Sequence, residues 1–119
     1  MFKILVVDDE PDLRFLLRRV FEQAGHLVTD AGHGEAALEV VRGSLPDLVV
    51  TDMMMPVMDG AELIRRLRAD PATAQIPILA VTGDAQLAGE ADAVLSKPWK
   101  SQQLLTAALS LLEMKADRT

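Results

Sequence analysis

Residues 48–56 read LVVTDMMMP: a run of strand formers from Leu48 to Thr51 that closes on one carboxylate, Asp52, followed by three methionines and Pro56. A run so apolar, with no polar alternation, suits a strand covered on both faces, as in a parallel sheet between helices. Outward from it, similar runs lie at Lys3–Val7 (KILVV), Leu27–Ala31 (LVTDA), Ile78–Val81 (ILAV) and Ala93–Ser96 (AVLS). Between these runs the spacing of apolar residues turns helical. Leu13, Leu16, Leu17, Val20, Phe21 and Ala24 mark the apolar face of a first helix, with Arg14, Arg18 and Arg19 assigned to its other side. Pro11 suits the first turn of that helix and Gly25 its end. Ala37, Leu38 and Val41 mark a second helix, Leu63, Ile64 and Leu67 a third, and Leu104, Leu105, Ala108, Leu111 and Leu112 the last. Strand and helix alternate throughout, which predicts an α/β fold: a doubly wound five-stranded parallel sheet with right-handed crossovers and helices on both faces.

The 119 residues, half of them apolar, are enough for one continuous core and are expected to form a single domain, residues 1–119. A formal charge of −6 without any basic run argues against direct nucleic-acid binding and against adhesion to anionic membranes. There are no cysteines, so disulfides and thiolate metal sites are excluded. No apolar stretch approaches membrane-spanning length, and a strand starting at Lys3 leaves no room for a signal peptide. The expected location is cytoplasmic.

Open parallel sheets bind ligands beyond the carboxyl ends of their strands. Those ends carry Asp8, Asp9 and Glu10 after the first strand, Asp52 after the third, Thr82 after the fourth, and Lys97 with Pro98 after the fifth. Each has an ordinary reading. Asp8, Asp9, Glu10 and Asp12 stand where a helix N-terminus favours acids, and Asp59 before Gly60 is assigned to capping outright. Thr82 alone reads as a turn hydroxyl and Lys97 alone as a solvated charge. Asp52 resists the capping reading, because the next helix starts several residues later. The opposite rim carries only loops such as Gly43, Ser44, Leu45 and Pro46, so reactive groups concentrate on one edge. His26 and His33 are separate loop residues without ligand-like spacing and are read as structural or solvent-facing.

VVDDE at 6–10, PDLVVTDMMMPVMDG at 46–60, VTG at 81–83 and LSKPW at 95–99 together resemble the receiver domain of bacterial two-component response regulators, and GHLVTDAGHGEAAL at 25–38 is similar to that family's second strand and helix. The resemblance covers the whole chain. It implies the flavodoxin-like strand order 2-1-3-4-5 and a signalling switch rather than an enzyme, one that assists its own phosphorylation and dephosphorylation. It makes Asp52 the phosphoacceptor, taking a phosphoryl group from the phosphohistidine of a sensor histidine kinase or a histidine phosphotransfer protein, with a downstream protein partner that the sequence does not name. It also implies Mg2+ or Mn2+, held directly by Asp9, Asp52 and the backbone carbonyl of Met54, with Asp8 acting at the metal or through its water. Lys97 and Thr82 would contact phosphoryl oxygens, Gly83 would leave space for them, and the Lys97–Pro98 bond would be cis. A carboxylate needs no base to attack, but attack on an anionic phosphoryl group does need a cation.

The chain also departs from the family. Residues 83–92 (GDAQLAGEAD) are all that join the fourth and fifth strands, fewer than the dozen or more residues of a helical parallel crossover. The fourth helix is therefore expected to be short or absent, with Asp84 capping one turn through Leu87 and Ala88 and Gly89 closing it. Val94 stands where relatives place an aromatic. Two other classes fit less well. An aspartate-nucleophile phosphatase needs a second acid two residues after the nucleophile, where this chain has Met54. A phosphorylation-independent interaction module on the same fold would lose rim residues, and all are present. A flavin or dinucleotide site fits still less, since the first strand runs into an acidic loop where glycines and bare N–H groups would be needed.

Overall fold

β1 (Lys3–Val7) lies between β2 (Leu27–Ala31) and β3 (Leu48–Asp52), and β4 (Ile78–Thr82) and β5 (Ala93–Ser96) extend the sheet beyond β3. The order is β2-β1-β3-β4-β5 and every pairing is parallel. This is the computed structural model of the chain, and it describes residues 1–117. Both β3 and β4 run one residue past their apolar runs, because Asp52 and Thr82 still take part in the ladder, opposite Val81 and Ser96.

Helices α1 (Pro11–Gln23) and α4 (Ser101–Asp117) cover one face of the sheet, and α2 (Gly34–Gly43) and α3 (Gly60–Ala69) the other. The alternation of side chains along each strand divides the core accordingly. Ile4, Val6, Val28, Leu48, Val50, Leu79 and Val81 pack with Leu17, Phe21, Leu104, Ala108, Leu111 and Leu112. Leu5, Val7, Val49, Ile78 and Ala80 pack with Ala37, Leu38, Val41, Leu63, Ile64 and Leu67. Each buried Val, Leu, Ile or Phe among them contributes about 1.5–3 kcal/mol relative to exposure, and together they hold the strand ends in place. No helix among the described residues is long and apolar enough to cross a membrane.

α1 is rotated from the orientation its apolar spacing predicts. Only Leu17 and Phe21 are buried along it, Leu16 is 49% and Phe15 60% exposed, and Ala24 is exposed too. Arg19 faces solvent as assigned, but the other two arginines reach β2: Arg14 Nε donates to Asp30 Oδ2 at 2.9 Å and Arg18 Nη1 to Asp30 Oδ1 at 2.8 Å. The rotated helix thus meets a carboxylate on the neighbouring strand, a partner that its own periodicity does not report.

The β4–β5 crossover is as short as expected. It holds one 3-10 turn, Ala85–Ala88, capped by Asp84 Oδ1 accepting the Gln86 N–H at 3.0 Å and closed by Gly89 at φ 52°. With so little chain above it, the sheet face at Val94 stays open, and Val94 is 39% exposed. Arg68 clasps the far end of the crossover. Its Nη1 donates to the carbonyls of Ala74 and Ile76, each at 2.8 Å, and its Nη2 to Asp92 Oδ2 at 2.6 Å, while the same Asp92 oxygen accepts the Ile78 N–H at 2.8 Å. Arg68→Ala is expected to lower stability by about 1–3 kcal/mol, since it leaves several backbone acceptors and a half-buried carboxylate without their donor. Urea titration of the two proteins measures this, and Arg68→Lys, unable to span the same acceptors, should recover only part of the loss.

Candidate functional site

Strand register brings the sequence-predicted residues together. β1 and β3 pair Val7 with Thr51, so Asp8 and Asp52 leave adjacent strand ends. β4 and β5 pair Thr82 with Ser96, and the Lys97 N–H then donates to the Thr82 carbonyl at 2.9 Å. The Lys97–Pro98 bond is cis, as the sequence resemblance implied.

Carboxylate oxygens of Asp8, Asp9 and Asp52 all lie within 4.8 Å of one another. Asp8 and Asp52 are buried, at 1% and 6% exposure, and Asp9 is half-buried. Lys97 Nζ reaches Asp52 Oδ1 at 3.3 Å, and the same oxygen accepts the Met53 N–H at 2.8 Å and, more loosely, the Met54 N–H at 3.5 Å. None of these bonds uses Oδ2. One carboxylate oxygen is thus anchored, and these contacts leave the other free of them. Met53 offers its carbonyl to the Gly60 N–H at 3.0 Å, whereas among the described residues the Met54 carbonyl accepts none of the loop's backbone hydrogen bonds.

The electrostatics follow from crowding. Burial pushes the Asp8 carboxyl above its ordinary 3.8; the Glu10 N–H that it accepts at 2.9 Å pulls the other way, Asp52 adds to the rise, Lys97 lowers it and Asp9 raises it again. One ammonium faces three carboxylates. An all-oxygen cluster short of positive charge suits a hard divalent cation, which binds through carboxylates and a carbonyl.

Thr82 is buried, and its hydroxyl is engaged within its own loop: it donates to the Asp84 carbonyl at 3.2 Å and accepts the Asp84 N–H at 3.1 Å. Open space surrounds Gly83, where an added Cβ would meet nothing within 4 Å. The capping readings divide. Asp59 caps α3 by accepting the Glu62 N–H at 2.9 Å, but Glu10, at the N-cap of α1, makes no side-chain cap, and Asp8 bonds ahead of that helix. His33 caps α2 by accepting the Ala36 N–H, and His26 accepts the Phe2 N–H beside Phe21, so neither joins the acidic cluster.

Two contributors escaped the sequence reading. At Gly60 a Cβ would stand 2.5 Å from the Asp52 carbonyl oxygen and 2.7 Å from Met53 Cα, so only glycine lets α3 start this close to the end of β3. Its place beside Asp59 in the PVMDG segment is the signal that could have found it. Arg14 donates through Nη1 to the Asp8 carbonyl at 2.8 Å, and nothing local in the sequence distinguishes it from Arg19.

The sequence pattern of the family described as "Response regulator receiver domain" matches residues 4–109. Sporulation initiation phosphotransferase F of Bacillus subtilis is 31% identical over 120 aligned positions, which cover 97% of each chain. An uncharacterized 14.6 kDa protein of Leptolyngbya boryana is 47% identical over 83 residues, 70% of this chain, and the match spans 63% of that protein's length. Among solved structures, a putative response regulator from Chloroflexus aurantiacus superposes with a TM-score of 0.89 at 34% identity, covering 94% of this chain and 98% of the other.

The crowding predicts a measurable cost. An acid whose pKa rises on folding favours the folded state below its ordinary value and loses that contribution as pH climbs through the raised one. Asp8→Asn, which keeps an oxygen for the Glu10 N–H, is therefore expected to raise the melting temperature of the cation-free protein at neutral pH. The gain should shrink toward zero as pH falls to about 4. Calorimetry in EDTA across that range checks both the sign and the window.

Proposed function

This chain belongs to the family of response regulator receiver domains, and we propose that it acts within it as a phosphoacceptor switch, with residues 1–119 as the receiver unit and Asp52 as the acceptor. The observation that carries the proposal is the buried Asp52 carboxylate, with Oδ1 anchored by Lys97 and the Met53 N–H and flanked by two further acids. The donor is the phosphohistidine of a sensor histidine kinase or a histidine phosphotransfer protein. Asp52 Oδ2 forms the bond to phosphorus as the phosphorus–nitrogen bond breaks, and the departing imidazole takes the electron pair and then a proton from water. Asp8, Asp9, Asp52 and the Met54 carbonyl would hold Mg2+ or Mn2+, whose charge offsets the repulsion between carboxylate and phosphoryl group. Lys97 Nζ follows a phosphoryl oxygen as a point charge, and hydrolysis of the acyl phosphate restores the carboxylate.

A protein donor suits the surroundings of the mouth. Leu13, Leu16, Val20, Pro98 and Trp99 line an apolar groove of about 510 Å³ that Lys97 also lines, so a protein surface that brings an imidazole toward Lys97 and Asp52 has apolar side chains to cover close by. The setting implied is cytoplasmic, without direct contact to nucleic acid or membrane. Acetyl phosphate with magnesium is expected to add one phosphoryl group to the wild type and none to Asp52→Asn by intact-mass spectrometry. Equal gain in both would remove Asp52 from the role.

The output runs through the shortened crossover. For its hydroxyl to donate to a phosphoryl oxygen, Thr82 must give up the Asp84 carbonyl, which frees the near end of residues 83–92 while Arg68 still holds the far end through Asp92. With Val94 in place of an aromatic and one 3-10 turn in place of a helix, the signal is read as reordering of this segment by a protein docking beside it. Amide exchange with and without beryllofluoride, a phosphoryl mimic, should show changed protection concentrated in residues 83–92. Changes confined to another surface would place the output there.

A further inference from the structure

We propose that Arg14 is a positioning residue for the acidic cluster: its guanidinium sets the plane of the Asp8–Asp9 peptide and thereby the affinity of the site for a divalent cation. The inference rests on the reading of Asp8, Asp9 and Asp52 as a cation site.

Arg14 bridges two elements. Nη1 donates to the Asp8 carbonyl at 2.8 Å, and Nε donates to Asp30 Oδ2 at 2.9 Å. Asp30 is itself fixed, lying opposite Val6 in the β1–β2 ladder and holding Arg18 Nη1 with its other oxygen at 2.8 Å. The guanidinium therefore carries the rigidity of the sheet to the turn that follows β1. On its N-terminal side, Asp8 is already tied by its N–H to the Ala31 carbonyl at 3.2 Å. The peptide unit on its C-terminal side is planar, so an arginine holding the Asp8 oxygen also fixes the direction in which Asp9 departs. That matters because, among the described residues, no hydrogen bond holds the Asp9 carboxylate itself; its backbone is what aims it. Gly32 makes the arrangement possible. A Cβ there would stand 2.9 Å from Arg14 Nη1, and the end of the arginine would have to move away.

Charge and position make opposite predictions for this residue. A guanidinium near the cluster repels an incoming cation, so as a charge alone Arg14 weakens binding, and its removal would tighten it. As a partner that orients ligands its removal loosens binding, by about 10-fold for contacts of this kind. The experiment is magnesium titration by calorimetry at fixed ionic strength on the wild type, Arg14→Gln, Gly32→Ala and Arg19→Gln, with melting temperatures in EDTA alongside. Gly32→Ala keeps the charge and displaces only the guanidinium; Arg19→Gln removes the same charge from an exposed site on α1. The expected result is about 10-fold weaker magnesium binding in Arg14→Gln and in Gly32→Ala, cation-free melting temperatures within a few degrees of wild type, and no weakening in Arg19→Gln. Binding by Arg14→Gln as tight as wild type or tighter, or unchanged affinity in Gly32→Ala, overturns the proposal. If Arg14→Gln does not fold, Gly32→Ala decides. A wild type that binds no magnesium overturns the cation-site reading itself, an outcome distinct from a wild type that binds and variants that match it.

Discussion

Mutual repulsion of Asp8, Asp9 and Asp52, opposed by the ammonium of Lys97 against Asp52, is the constraint around which the rest of the molecule is arranged. Parallel register at the point where the strand order reverses forces the first and last of these acids side by side, and burial denies them the screening that water would give. A fold that accepts such crowding forgoes stability in the absence of a cation. The compensation lies in the sheet, whose two apolar layers keep the strand ends from spreading.

The surroundings of Asp52 divide into a firm wall and a yielding one. β1, β3 and the start of α3 form the firm side, where Gly60 lets backbone meet backbone and the Gly60 N–H ties the chain to Met53. Thr82, Asp84 and the 3-10 turn form the other, held by a hydroxyl that bonds only within its own loop and by a cap one turn long. In the switch proposed above, the nucleophile would need the first kind of support, because its approach must not wander. The reporter of phosphorylation would need the second, because it must have another arrangement within reach.

α1 joins the core to the site. Leu17 and Phe21 anchor it in the core, Arg14 and Arg18 bind it to Asp30 on β2, and Leu16 stays exposed along the groove that Lys97 also lines. The helix that carries Arg14 to the Asp8 carbonyl therefore also lines, through Leu13, Leu16 and Val20, an apolar groove that includes Lys97.

Much of this was legible in the amino-acid sequence. The five apolar runs and the helical spacing between them determined the sheet and its helices, the strand-end residues determined which side chains gather at the candidate site, and the shortness of residues 83–92 determined that the fourth helix would be short or absent. These are local properties: a two-residue or 3.6-residue period and a count of residues are complete within one segment. Tertiary structure alone decided which face α1 buries, that Arg14 would close on Asp8 while Arg19 stays exposed, and that Gly60 and Gly32 are positions of close approach. Each of those depends on a partner from another element, Asp30 on β2 for the arginines and the end of β3 for Gly60. No single segment's pattern carries information about what is brought against it when the sheet closes.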